Sequence, residues 1–175
     1  MRKILLAMLL IGFEEDMSYS RNKEKTEHQE DGLKGVGRFS QRSLSNLVGV
    51  HPDLVTIMHE SIKETPIDFT ITEGVRTAKR QRELYAQGRT LPGNIVTYAD
   101  GCVKKSNHQP KSDGYGYAVD LYPCINGNVN VHAVDELKVI ADHICKVAQS
   151  LGIYIVWGGN WKMRDYSHFE VKGVV

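Results

Sequence analysis

The stretch "SNHQPKSDGYGYAVDLYP", residues 106–123, joins a loop rich in glycine and tyrosine to a short apolar run. Asp120 lies inside that run, between Val119 and Leu121. Burying a carboxylate is costly unless a partner neutralises its charge. The run predicts a short strand that Pro123 closes, and the strand must direct Asp120 toward a partner elsewhere in the chain.

Patterns typical of helices and strands continue on both sides of this stretch. The clearest is residues 133–152, where apolar side chains recur at helical spacing before Gly152. Further helices are predicted at residues 51–65 and, capped by Thr77 and ended by Gly88, at residues 78–87. Strands are predicted at residues 68–72, 117–123, 153–157 and 167–171, and an irregular loop at residues 89–116. This order predicts an α+β fold, a small mainly antiparallel sheet flanked by helices on one side.

The bulk composition excludes several classes of protein. The chain has 175 residues, 41% of them hydrophobic, and a net charge of +1. This length suits one domain with a tail, and the near-zero charge gives no electrostatic case for nucleic-acid binding. The three cysteines are scattered, so neither a disulfide framework nor a thiolate metal site is expected.

The first 37 residues differ from the rest. "MRKILLAMLLIGF", residues 1–13, has two basic residues and a short apolar run, and a charged segment follows it. We interpret residues 1–37 as an apolar leader plus a flexible linker, and residues 38–175 as the compact domain. The leader can be an export signal, a weak membrane anchor, or upstream sequence before a start at Met17, and it is too short for a stable membrane span.

Two of the seven histidines stand close to predicted strands that carry acidic residues. His108 precedes the strand with Asp120, and His168 begins the last strand. If these two strands are neighbours, His108, Asp120 and His168 converge. Two imidazoles and one carboxylate form a common ligand set for catalytic zinc, which leaves a fourth position open.

A metal site for hydrolysis also needs a general base. Asp165 lies three residues before His168, where a tight turn can place its carboxylate beside the metal without making it a ligand. Glu170 is the rival, because on a strand it shares the face of His168. From spacing alone, Asp165 can equally be an aspartate that only forms the turn.

These residues resemble a specific family. Ser106 with His108, then Gly116, Ala118 and Asp120, and later Asp165 with His168, are similar to the motifs of the zinc peptidases related to D-alanyl-D-alanine carboxypeptidases. "EGVRTAKRQRELY", residues 73–85, resembles the family's upstream arginine segment. The branch that the chain resembles most is the phage endolysins that cut the L-alanyl–D-glutamate bond of peptidoglycan.

The resemblance implies a role for each matched residue. His108, Asp120 and His168 would bind zinc, Asp165 would be the general base, and Arg76 and Ser106 would contact the substrate. The implied fold is that of Hedgehog proteins and D-Ala-D-Ala peptidases. The implied partner is the peptidoglycan stem peptide, with no nucleic acid, and we expect a monomer. Such a protein acts in the periplasm or at the cell wall, and a phage lysin waits in the host cytoplasm before release.

One departure and two other functions remain open at this point. Eleven residues, Gln109 to Val119, separate His108 from Asp120, more than is usual in the family, so Asp113 is an alternative ligand. Tyr115, Tyr117 and Trp161 are candidates to line the cleft. The alternative functions are a D-Ala-D-Ala carboxypeptidase or dipeptidase on the same site, and a wall-binding module without catalysis.

Overall fold

The structure is a computed structural model that describes residues 37–172. The leader and linker predicted for residues 1–37 lie outside this part of the chain, apart from Gly37. Within the described residues there are four α-helices and five strands. The helices are α1 (Gln41–Leu47), α2 (Pro52–Lys63), α3 (Ala78–Ala86) and α4 (Val134–Ser150), and the strands are β1 (Phe69–Glu73), β2 (Ala118–Ile125), β3 (Asn128–Val129), β4 (Ile155–Trp157) and β5 (His168–Val171).

The strands form one antiparallel sheet in the order β1-β2-β5-β4, and β3 pairs with the end of β2. Strands β2 and β5 therefore lie side by side at its centre, although more than forty residues separate them in the sequence. The α+β fold predicted from the sequence is confirmed, including the mainly antiparallel sheet.

The two faces of the sheet have different surroundings because successive side chains of a strand point to opposite faces. On β2, Val119 and Leu121 are fully buried in the core, while Asp120 alternates with them and is only partly buried. On β5, Phe169 is buried in the same core. His168 and Glu170 consequently share the other face with Asp120, and this face carries the candidate site.

Helices α2 and α4 cover the apolar face of the sheet. Helix α4 presents a stripe of buried residues, namely Leu137, Ile140, Ala141, Ile144 and Ala148. Their spacing puts them on one side of the helix, as the sequence predicted. Helix α2 packs against α4 and buries Leu54, Ile57, Met58 and Ile62 in the same core.

A bulge in β1 changes which face its last residue occupies. Ile71 pairs with Leu121, whereas Glu73 pairs with Asp120, so Thr72 is an extra residue in the ladder. The bulge moves Glu73 from the core face, where strict alternation would put it, to the face of Asp120. A strand predicted from alternation alone does not reveal this shift.

Four local features differ from the sequence predictions. Helix α1, capped by the Ser40 side chain, and the short strand β3 were not predicted. Strand β2 continues past Pro123, because the proline's carbonyl still accepts a hydrogen bond from Asn130 N while its missing N–H is not needed. Strand β4 is shorter than predicted and half-buried, because it lies at the edge of the sheet.

Among residues 37–172, no helix combines the length and the apolar character that crossing a membrane requires.

Candidate metal centre

Three side chains from separate parts of the chain meet on the open face of the sheet. Asp120 and His168 are direct cross-strand partners on β2 and β5, and His108 reaches them from the loop before β2. The distances are 3.2 Å from His168 Nδ1 to Asp120 Oδ1, 3.3 Å from His108 Nε2 to the same oxygen, and 3.2 Å between the two nitrogens. The three atoms thus form a nearly equilateral triangle.

This triangle fits a tetrahedral metal ion. Zinc lies about 2.0–2.1 Å from nitrogen and oxygen ligands, so the edge between two ligands of a tetrahedron is about 3.3–3.4 Å. The observed edges of 3.2–3.3 Å agree with that value. These three residues are also the group, among the described residues, whose donor atoms lie close enough to hold a metal ion.

Hydrogen bonds on the outer side of each imidazole define which nitrogen faces the centre of the triangle. His108 Nδ1 lies 2.8 Å from the carbonyl oxygen of Gly74, to which it donates. His168 Nε2 lies 3.0 Å from Glu170 Oε2 and donates to that carboxylate. In its neutral form each ring then turns its unprotonated nitrogen toward Asp120, and this is the form that binds a metal.

The electrostatics of the metal-free centre are those of buried ions in contact. Burial opposes ionisation of Asp120, but His108 and His168 hold its pKa well below the usual range. Burial would lower the pKa of His168, yet the hydrogen bonds to Asp120 and Glu170 outweigh it and raise that pKa to about 9. Without a metal, a proton therefore balances the charge of Asp120, which answers the burial problem posed by its apolar neighbours.

Arg76 lies behind Asp120 and is almost completely buried. Its Nη2 donates to Asp120 Oδ2 at 3.1 Å and to Glu73 Oε2, and its Nη1 donates to Gln81 Oε1 at 2.9 Å. Its Nε is buried without a hydrogen-bond partner among the described residues. The guanidinium borders the cavity, but most of its N–H groups donate to other side chains of the protein. Its clearest role in this structure is therefore to hold Asp120.

Asp165 borders the same cavity from the turn before β5. Its Oδ1 accepts a hydrogen bond of 2.9 Å from Ser167, and no other bond to its carboxylate is found among the described residues. The turn is tight because Asp165 N donates to Gly158 O at 3.0 Å. A Cβ on Gly158 would lie 2.5 Å from Asp165 O, so only glycine permits this approach. One carboxylate oxygen of Asp165 therefore stays available to the cavity.

Glu170, the rival base, lies on the outer side of His168. Its Oε2 accepts from His168 Nε2 at 3.0 Å and from Asn107 Nδ2 at 2.7 Å. Burial opposes ionisation of this carboxyl, but the two hydrogen bonds lower its pKa. This position, away from the centre of the triangle, favours Asp165 over Glu170 as a group that meets a reacting water.

The cavity above the triangle has a volume of about 800 Å³. Ser106 borders it, and its Oγ accepts from His108 N at 3.3 Å, which leaves the hydroxyl proton to donate elsewhere. Trp161 borders it too, with its ring 4.8 Å from that of His168. Tyr115 and Tyr117 do not line this cavity. Both pack around His51 instead, which corrects the prediction that they line the cleft.

The long spacing between His108 and Asp120 is absorbed by a loop that folds away from the triangle. Gly116 bonds to Gly49 and His51 through both of its backbone groups, which anchors the loop before α2. Asp113 accepts from Tyr117 Oη at 2.7 Å and from Tyr115 N at 3.1 Å. Both hydrogen bonds of Asp113 therefore stay within the loop, and Asp113 does not belong to the group of His108, Asp120 and His168.

Several residues of the site gave no signal in the sequence. Glu73 reaches it through the bulge in β1, Gln81 through a fully buried position on α3, and Asn107 through a loop. The position of Glu170 on the His168 face was visible, although its function as a hydrogen-bond partner was not. Gly158 stood in a "GG" turn whose importance depends on the distant approach of Asp165.

Known proteins resemble the chain over the whole described region. The family described as "Phage L-alanyl-D-glutamate peptidase" matches residues 36–175. The peptidoglycan L-alanyl-D-glutamate endopeptidase CwlK of Bacillus subtilis is 41% identical over 117 residues, which cover 60% of this chain and 61% of CwlK. The chain thus spans less than two thirds of that relative.

Two further proteins match a larger share of their own length. The L-alanyl-D-glutamate peptidase of Escherichia phage T5 is 25% identical over 135 residues, 77% of this chain and 89% of the relative. The crystal structure of the L-Ala D-Glu endopeptidase ChiX of Serratia marcescens superposes with a TM-score of 0.57 and 29% identity, covering 77% of this chain and 90% of ChiX. With the family match over residues 36–175, these similarities show that the chain belongs to the phage L-alanyl-D-glutamate peptidase family.

Proposed function

We propose that this chain is a zinc-dependent peptidoglycan endopeptidase that hydrolyses the L-Ala–D-Glu bond of the stem peptide. The observation that carries the proposal is the triangle of His108, Asp120 and His168, open on one side to a cavity that Asp165 also borders. Three protein ligands and an open position are the arrangement of catalytic zinc sites, whereas structural zinc sites are closed by four protein ligands. The names of the relatives supply the bond.

The ligand set suits zinc because two neutral imidazole nitrogens and one carboxylate oxygen lie at three corners of a tetrahedron. Bound there, the metal would supply Lewis-acid chemistry, polarising a carbonyl and lowering the pKa of a water molecule. The protein's own residues prepare this chemistry. Arg76 fixes the second oxygen of Asp120, and Gly74 O fixes the ring of His108.

Asp165 is the proposed general base. Its free carboxylate oxygen takes the proton of the attacking water and later returns it to the amine that leaves. Ser167 holds the other oxygen at 2.9 Å, so the carboxylate keeps one orientation. Ser106 donates its hydroxyl proton to the substrate backbone, and Arg76, which borders the cavity, meets a substrate carboxylate through the Nη1 hydrogen that Gln81 leaves free.

Three cationic side chains that border the cavity can attract an acidic peptide. Lys104, Lys105 and Arg164 border it, and no ion pair of these three side chains occurs among the described residues. A stem peptide carries free carboxylates, which such side chains attract. The proposed site of action is the cell wall or the periplasm, and the proposed oligomeric state is a monomer. For the leader, outside the described residues, an export signal, a weak membrane anchor and upstream sequence before Met17 all remain predictions.

The proposal is tested with the full-length chain, by counting bound zinc and following muropeptide digestion by mass spectrometry, with and without a chelator. We expect one zinc per chain and chelator-sensitive cleavage between L-Ala and D-Glu. The Asp165→Asn variant is the matched control, because it should keep the zinc and lose the cleavage. Release of terminal D-alanine alone would assign the chain to carboxypeptidases instead, and zinc without any cleavage would assign a wall-binding module.

A further inference from the structure

The hydrogen bonds of Glu170 connect two parts of the metal centre that are remote in the sequence. Its Oε2 accepts from His168 Nε2, on its own strand, and from Asn107 Nδ2, on the loop that carries His108. Asn107 directly precedes His108, and its backbone oxygen accepts from Tyr117 N at 2.7 Å. One carboxylate oxygen therefore ties the loop of the first ligand to the ring of the third.

We propose that Glu170, held by Asn107, is a positioning residue that sets the protonated nitrogen and the orientation of His168 for metal binding. The inference rests on the metal site of the proposed function. A ligating imidazole whose outer N–H donates to a carboxylate is fixed in one tautomer and becomes a better electron donor to the metal. Here the acceptor is Glu170, and the nitrogen that the neutral ring leaves for the metal is Nδ1, which lies 3.2 Å from both Asp120 Oδ1 and His108 Nε2.

The surroundings of His168 make Glu170 the group that decides its orientation. Nδ1 faces the other two ligands, and the Trp161 ring packs near one side of the imidazole. The hydrogen bond from Nε2 to Glu170 is the interaction outside the triangle that distinguishes this ring orientation from one flipped about the Cβ–Cγ bond. With that acceptor gone, both tautomers and both orientations become accessible, and metal binding must select one of them.

The decisive variants differ in whether they keep the acceptor. Glu170→Leu removes it, Glu170→Gln keeps an oxygen that can accept from both donors, and Asn107→Ala removes only the support. Glu83→Leu is the matched control, because Glu83 lies on α3 outside the cavity with a half-exposed side chain. The full-length chains are stripped with a chelator, and zinc affinity is measured by competition with a chelating dye.

We expect Glu170→Leu to weaken zinc binding by about 10- to 100-fold, the usual effect of losing such an outer partner. Glu170→Gln should recover most of that loss, Asn107→Ala should lose a smaller factor, and Glu83→Leu should bind zinc like the unsubstituted chain. Imidazole nitrogen NMR shifts, recorded on the chelator-stripped chains above pH 9 where the His168 ring is neutral, add a readout that a general loss of stability does not move. His168 should show one tautomer in the unsubstituted chain and a mixture in Glu170→Leu.

The outcomes separate this inference from the proposed function. If the unsubstituted chain binds zinc and Glu170→Leu binds it equally tightly, the positioning role is wrong while the metal site stands. If Glu170→Leu keeps its zinc affinity but loses turnover at saturating zinc, Glu170 is the general base instead. If the unsubstituted chain binds no zinc, both the metal site and the positioning role are overturned.

Discussion

Replacing Arg76 with methionine tests how Asp120 is held. The guanidinium is 8% exposed and donates to Asp120, Glu73 and Gln81. Methionine has a similar length but no charge, so the variant leaves two carboxylates facing each other on paired strands. Removing one partner of a buried ion pair costs about 3–5 kcal/mol, because the remaining charge stays buried without compensation.

The expected loss is large enough to measure by thermal unfolding of the chelator-treated protein. At about 4 °C per kcal/mol for a domain of this size, Arg76→Met should lower Tm by about 12–20 °C. Arg76→Lys should recover only part of this, because a single ammonium cannot reproduce three contacts made by a planar fork. Zinc should restore part of the loss by adding positive charge beside Asp120, while Glu73 keeps only its exposed partner Arg80.

The matched control is Arg80→Met. Arg80 also pairs with Glu73, at 3.5 Å, but its side chain is 53% exposed. Exposed pairs contribute about 0–1 kcal/mol, so this variant should unfold within a few degrees of the unsubstituted chain. If Arg76→Met is no less stable than Arg80→Met and only its KM for the stem peptide rises, the reasoning fails and Arg76 is mainly a substrate contact.

Four further substitutions or conditions test the remaining assignments. Asp165→Asn should lower kcat by about 10²- to 10⁴-fold with unchanged zinc content, and near-normal turnover would refute its role as base. His168→Ala should lose zinc in a metal count after dialysis, and retained stoichiometric zinc would contradict the ligand set. Gly158→Ala should lower activity with a smaller effect on zinc affinity, because the added Cβ would lie 2.5 Å from Asp165 O and displace the backbone of Asp165. Equal kcat values for Gly158→Ala and the unsubstituted chain would count against this. The hydrogen bond from the Tyr117 hydroxyl lowers the pKa of Asp113 below its ordinary value of 3.8. The bond therefore stabilises the loop fully at pH values above 3.8, and this stabilisation is lost as the pH falls through the lowered pKa. Asp113→Asn should flatten the acid limb of Tm against pH, and an unchanged limb would show that the contact contributes nothing.

The sequence by itself determined the fold class and the family, and it predicted that His108, Asp120 and His168 lie together. The buried residues of α4 recur at helical spacing, and Thr77 caps the start of α3. Both features depend only on neighbouring residues, so they were predictable without tertiary information. The motifs around His108, Asp120 and His168 indicated a site because these residue types are costly to bury without a shared partner. The motifs did not indicate which surrounding groups hydrogen-bond to these three residues and orient them.

Only the tertiary structure decided those outer groups. The bulge at Thr72 brings Glu73 opposite Asp120, and this placement gives Arg76, predicted to contact the substrate, two carboxylate partners within the chain. The pairing of β2 with β5 places His168 beside Asp120, and the loop before β2 brings Asn107 to Glu170. These contacts join residues about 45 to 65 positions apart, and they depend on strand order and register. Local propensity and side-chain alternation do not encode that register, because one inserted residue moves every later side chain to the other face of the sheet.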